Sequence, residues 1–137
     1  MTDEPKPFTL RVEHGKIREF AVATSSRSSA FTEGPSPFVP PTFLTTSAHW
    51  TTRDNLALAE RDLRRILHGE QEYVFHGPPP AAGDMLVGQQ RIESEYQKQG
   101  RRGGQMRFIV VVTEFRDAQG QLVCEGRSTI IETGGPE

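Results

Sequence analysis

A chain of 137 residues has room for one hydrophobic core and is too short for two independently stable domains. Sixteen Lys and Arg against eighteen Asp and Glu give a formal charge of −2, which excludes a general cationic field for nucleic acid or anionic lipid. The apolar share of 34% is lean, as expected of a domain that completes its burial against another subunit.

Residues 1 to 7 carry two prolines among charged residues and read as a flexible arm. They lack the charged-then-apolar order of a signal peptide, and no apolar run has the length of a membrane span. With Cys124 as the only cysteine, no internal disulfide can form, and a soluble cytoplasmic protein is expected. Alternation in Phe8-Thr9-Leu10-Arg11-Val12 predicts a short strand. From His14 the period changes. Ile17, Phe20, Ala21 and Thr24 recur at helical spacing opposite Lys16, Arg18 and Glu19, predicting an amphipathic helix that ends near Ala23.

Positions 24 to 42 are crowded with Ser, Thr, Gly and Pro and read as a long irregular connection. After Pro40-Pro41, the segment Thr42 to Trp50 has small or apolar residues around most of its circumference, which predicts a buried helix. Its many threonines leave a strand as the competing reading. Asp54 predicts the cap of a second short helix through Leu56, Leu58, Ala59, Leu63 and Ile66, with Arg61, Arg64 and Arg65 in solvent.

Beyond that point the period is two. Strands are predicted over 67–76, 85–97, 105–116 and 121–132, with boundaries good to about 3 residues. Pro78-Pro79-Pro80, Gly100-Arg101-Arg102-Gly103-Gly104 and Asp117-Ala118-Gln119-Gly120 separate them, the last as a hairpin turn. Phe108 to Val112 is apolar on both faces, the pattern of a central strand. Residues 133 to 137 read as a flexible tail, so the domain spans 8–132. The class is α+β, an antiparallel sheet wrapped around one helix.

Specific residues narrow that class. Lys16-Ile17-Arg18-Glu19-Phe20-Ala21, Pro41-Thr42-Phe43, Leu67-His68-Gly69-Glu70-Gln71 and Gly83-Asp84, in that order and spacing, resemble the N-terminal MaoC-like dehydratase family. Gly100-Arg101-Arg102-Gly103-Gly104 and Arg127-Ser128-Thr129 fall where that family has similar residues, so the resemblance covers nearly the whole chain. It implies a hot dog fold and dimers that pair their sheets edge to edge. It also implies relatives similar to (R)-specific enoyl-CoA hydratases and (3R)-hydroxyacyl-ACP dehydratases. Active members add or remove water across the 2,3 double bond of an acyl thioester, using an Asp and a His from a Gly-Asp-x-Asn-Pro-x-His segment. The two side chains hold the water and move protons, while N–H groups at the central helix start stabilise charge on the thioester oxygen.

Alignment on Ile17-Arg18-Glu19-Phe20 sets Ser25 at the motif Gly, Ser26 at the Asp, Ser28 at the Asn and Phe31 at the His. A serine hydroxyl titrates far outside the working range and a phenyl ring accepts no proton, so no catalytic residue is expected. The resemblance then implies a degenerate subunit of a heteromeric hydratase or dehydratase whose intact partner supplies Asp and His. A homodimeric acyl-CoA-binding protein without catalysis is the alternative. A thioesterase using Glu70 or His68 is a further one.

Expected substrate-binding residues are Phe31, Thr42, Phe43, His68, Arg101 and Arg102. Thr42 and the N–H groups after Pro41 suit an oxyanion, or simply a helix start. Phe31 and Phe43, with Phe38 and Trp50, suit an acyl channel or a core. His68 suits an acid or base, or a structural hydrogen bond at an interface. Arg101 and Arg102 suit phosphates of CoA or of a carrier protein's pantetheine arm. Gly103 and Gly104 point to a hairpin, not a phosphate loop. His14, His49 and His76 lack metal-ligand spacing, so no metal or cofactor is expected.

Overall fold

A computed structural model describes residues 4–102 and 104–134. Five strands form one antiparallel sheet: β1 (Phe8–Arg11), β2 (Ile66–Phe75), β3 (Met85–Gln99), β4 (Gln105–Arg116) and β5 (Leu122–Thr133), in the order β1-β3-β4-β5-β2. The four long strands lie within two residues of their predicted bounds. Apolar period-two patterning locates them through the alternation of side chains between the two faces, although burial is confined to β4 and to the core ends of β3 and β5: β2 has no buried residue and β3 is exposed beyond Gln90. Phe8, Leu10, Leu86, Phe115 and Cys124 share the inner face and pack with Ile17, Val39, Phe43 and Leu44 into one core.

Helix α1 (His14–Ala23) buries Ile17 and Ala21, the face predicted from spacing. Thr24 closes it: its Oγ1 donates to the Phe20 carbonyl at 3.0 Å. Ser25 follows with φ 59°, the only non-glycine in the left-handed region among the described residues. The predicted buried helix over Thr42–Trp50 forms as a 3-10 helix, Phe43–Trp50, that buries Phe43, Leu44 and Thr46. Threonine-rich sequence makes a poor α-helix, and tertiary burial holds these residues in the tighter form.

The second predicted helix is absent. Asp54 caps nothing; Asn55 Oδ1 accepts the Thr52 N–H at 2.7 Å in a single 3-10 turn, Arg53–Asn55. A second such turn, Leu63–Arg65, is capped by Asp62. The segment between them is irregular because its leucines gain no common buried face: Leu56 is 40% and Leu63 78% exposed. Nor is Arg61 in open solvent. Its guanidinium reaches Glu95 on β3 and Glu132 on β5, at 3.2 and 3.5 Å. It thereby crosses over β4, where Ile109 is opposite Glu95 and Arg107 opposite Glu132.

The predicted arm does not extend through residues 5 to 7, and residues 1–3 lie outside the described chain. Lys6 N–H donates to the Asp54 carbonyl, Asn55 Nδ2 donates to the Lys6 and Pro7 carbonyls, and Gln89 Nε2 donates to the Pro5 carbonyl. Residues 5 to 7 are therefore tied to the domain. At the other end Thr133 is the last residue of β5, opposite Met106; residues 135–137 lie outside the described chain.

Candidate functional site

The long connection between α1 and the 3-10 helix is pinned at several points. Ser28 Oγ accepts the Ala30 N–H, starting a short turn over Ser29–Phe31. Ser36 Oγ donates to the Ala82 carbonyl, Val39 N–H donates to the Pro80 carbonyl, and Phe38 bridges to Ala81. The proline turn before β3 thus anchors the loop, while Asp84 Oδ2 accepts the Ala81 N–H at 2.9 Å. Within this frame Ser26 is half-buried and Phe31 packs against the core. Segment 24–31 contains hydroxyls, a guanidinium and a phenyl ring, but no carboxylate or imidazole.

The 3-10 helix starts beside this loop. Phe43 is 1% exposed, edge-on to Phe20 at 5.7 Å, so its ring belongs to the core and not to an open channel wall. Two of the backbone donors expected to be free at this start are engaged: Phe43 N–H donates to the Pro40 carbonyl and Thr45 N–H to the Thr42 carbonyl. Thr42 itself is exposed and makes no side-chain cap. Thr45 Oγ1 lies 2.7 Å from the Tyr73 hydroxyl, which seats the helix start at the C-terminal end of β2. Burial raises the Tyr73 pKa against this bond, so the phenol stays neutral and available for hydrogen bonding.

Farther along the inner face, β2 contributes a polar cluster that sequence reasoning resolved only as His68. Gln71 Oε1 accepts the Ser128 hydroxyl at 2.5 Å and lies 3.0 Å from His68 Nε2. An amide oxygen only accepts, so this contact requires the proton on Nε2. A register shift between His68 and Glu70 makes the cluster possible. His68 is opposite Ile130 and Gln71 opposite Ser128, on the Cys124 face, whereas Glu70 is opposite Thr129 and faces the other side. His68 and Glu70 therefore do not form one acid–base pair. Gly69 occupies the bulge, where an added Cβ would come within 2.9 Å of Ile131 Cδ1.

The outer face carries charge. Arg127 pairs with Glu93 and holds its carboxyl below the usual range, and Arg91 lies 3.5 Å from Glu114. Arg101 and Arg102 occupy the β3–β4 turn, at the far end of the sheet from Thr42 and Phe31. The inner face also borders a cavity of about 720 Å³ lined by Leu56, Leu58, Arg61, Ile92 and Glu95 among others. Among the described residues no group of three or more His, Cys, Asp or Glu is placed to hold a metal ion. No described helix is long and apolar enough to cross a membrane.

Residues 1–126 match the model of the FAS1-like dehydratase domain region. The chain belongs to that family. It is 32% identical over 144 residues to a UPF0336 protein of Saccharopolyspora erythraea, covering 97% of this chain and 88% of the relative. Among solved structures it is similar to the C-terminally truncated HadBC (3R-hydroxyacyl-ACP dehydratase) complex of Mycobacterium tuberculosis. That likeness has a TM-score of 0.71 and 26% identity, over 95% of this chain and 98% of the other. A MaoC-like dehydratase from Phytophthora capsici superposes at TM-score 0.73 with 21% identity, over 98% of this chain and 48% of that one. The family is thus a MaoC-like hot dog family, and the five-stranded sheet has its fold.

Proposed function

We propose that this chain is the degenerate subunit of a heteromeric 2-enoyl-thioester hydratase or 3-hydroxyacyl-thioester dehydratase. One observation supports the reading: the loop is pinned in a defined shape and carries no carboxylate or imidazole over residues 24–31. Ser25 holds a left-handed conformation at the position aligned with the motif glycine, and the Ser28 cap and Pro37–Ala82 contacts pin the rest. Ser26 and Phe31 nevertheless provide no group that titrates in the working range. An intact hot dog partner supplies the carboxylate and the imidazole. This subunit supplies a sheet edge, a wall around Phe31 and Thr42, and the His68–Gln71–Ser128 cluster beside the paired edge. The thioester is carried on CoA or on a carrier protein's pantetheine, and the reaction needs no metal or other cofactor in this chain.

Likeness to a dehydratase solved as a complex supports a heteromer. Beyond that likeness, β2 is a ten-residue edge strand bonded on one side only, by β5, and six consecutive residues from Leu67 to Glu72 are exposed along it. A long unprotected edge calls for a partner strand. Two arms test the proposal. The purified chain is expected to leave 2-enoyl-CoA unhydrated, and co-expression with an Asp- and His-bearing hot dog subunit is expected to yield a co-purifying, active complex. Turnover by the purified chain alone, retained after removal of contaminating hydratase, overturns the assignment. A stable homodimer that binds acyl-CoA and ignores such subunits replaces it with the acyl-CoA-binding alternative.

A further inference from the structure

Arg101 and Arg102 are too distant from this chain's own loop and helix start to serve a ligand held there. From Thr113, level with the helix start, to Gln105, beside the arginine turn, β4 runs eight residues, about 26 Å at ~3.3 Å per residue. An extended pantetheine arm does not bridge that span. The helix start is level with Thr113, because Thr45 bonds Tyr73 and Tyr73 is opposite Gly126, which is opposite Thr113.

We infer that Arg101 and Arg102 act in trans, binding phosphate groups of the acyl carrier at the mouth of the partner subunit's site. This inference rests on the heteromeric reading above. A two-fold that joins the free edges of two hot dog sheets, keeping both inner faces on one side, runs the edge strands antiparallel. The Ile66 end of this chain's β2 then lies beside the partner's helix-start end. From β4 to the partner's edge strand is three strand spacings, about 14 Å at ~4.8 Å each. The arginines are therefore brought closer to the neighbouring site than to their own.

Charge at this end of the sheet agrees with the assignment. Its carboxylates already have partners: Glu95 and Glu132 are met by Arg61, Glu95 also by Arg107, and Asp62 by Arg64. Lys98 Nζ lies over the Tyr96 and Phe108 rings, at 5.7 and 5.3 Å, and Arg65 donates Nε to the Thr133 carbonyl. Arg101 and Arg102 are exposed and have no ion-pair partner among the described residues. Guanidinium forks suit phosphate oxygens at such a site.

The test uses the co-expressed complex with this chain as wild type or as the Arg101→Ala/Arg102→Ala double variant. One enoyl group is offered on CoA, on phosphopantetheine and on N-acetylcysteamine. The double variant is expected to raise KM about tenfold or more for a phosphate-bearing thioester, with kcat little changed and the N-acetylcysteamine thioester unaffected. A loss confined to CoA assigns the arginines to its nucleotide phosphates. A loss on phosphopantetheine as well assigns them to the phosphate shared with carrier proteins. Equal losses on all three substrates, or none on any, overturn the inference while leaving the heteromer standing. A wild-type pair that neither assembles nor turns over removes both.

Discussion

Gly88 shows how tightly single positions are set. It is opposite Phe8 on β1 and Phe115 on β4, and an added Cβ would stand 2.3 Å from Phe8 Cζ. Phe8 is buried and meets Phe115 edge-on at 6.3 Å, so the ring has little room to withdraw. Gly88→Ala is expected to cost about 1–3 kcal/mol through overpacking, read from urea midpoints. Wild-type stability in that variant would place Phe8 off the strand. Cys124 offers a test through pH. Burial, reinforced by Glu125, pushes its thiol up to about 12 from the ordinary value of 9.0. A raised folded pKa means that this contribution to stability is complete below pH 9 and is lost as pH rises toward 12. Wild type is therefore expected to lose more stability than Cys124→Ala between pH 8 and 10.5, compared by urea unfolding. Equal losses in both would show that the thiol does not titrate differently on folding.

At the scale of elements, period-two patterning placed four strands because it follows the alternation of side chains between the two faces of a sheet. Helical spacing succeeded for α1 because its apolar face is buried, with Ile17 and Ala21 inward. It failed for 54–66. There the leucine spacing was real but no surface lay beneath it, and polar contacts organise the segment instead: Asn55 to the carbonyls of residues 6 and 7, Ala57 N–H to Gln90, and Arg61 to Glu95 and Glu132. Arg61 is the main tie to the sheet. Its side chain is 27% exposed and that of Glu132 15%. Arg61→Ala is expected to cost about 1–2 kcal/mol, because it leaves the partly buried Glu132 carboxylate unpaired and Glu95 with Arg107 alone. Loosening of the segment should appear as faster amide exchange over 53–65 than over β4. Unchanged exchange there would mean that the carbonyl and amide contacts suffice without it.

Across the whole molecule, the sheet order separates residues that the sequence presents as one set. Phe31, Thr42 and Phe43 gather at one end, His68 joins Gln71 and Ser128 midway along the edge strand, and Arg101 and Arg102 stand at the other end. Nothing local encodes this separation, since it depends on which strands neighbour one another and in which direction they run. The bulge that brings His68 and Gln71 to one face is equally invisible to alternation, which assumes unbroken register. Sequence by itself determined the number and near-bounds of the long strands, the position of α1, and the absence of a carboxylate and an imidazole from residues 24–31. Those are properties of side-chain type and spacing along one segment. Only the tertiary structure decided that Phe43 is core, that 54–66 is not a helix, and that the arginine turn is remote from its own helix start, because each depends on what surface another part of the chain presents.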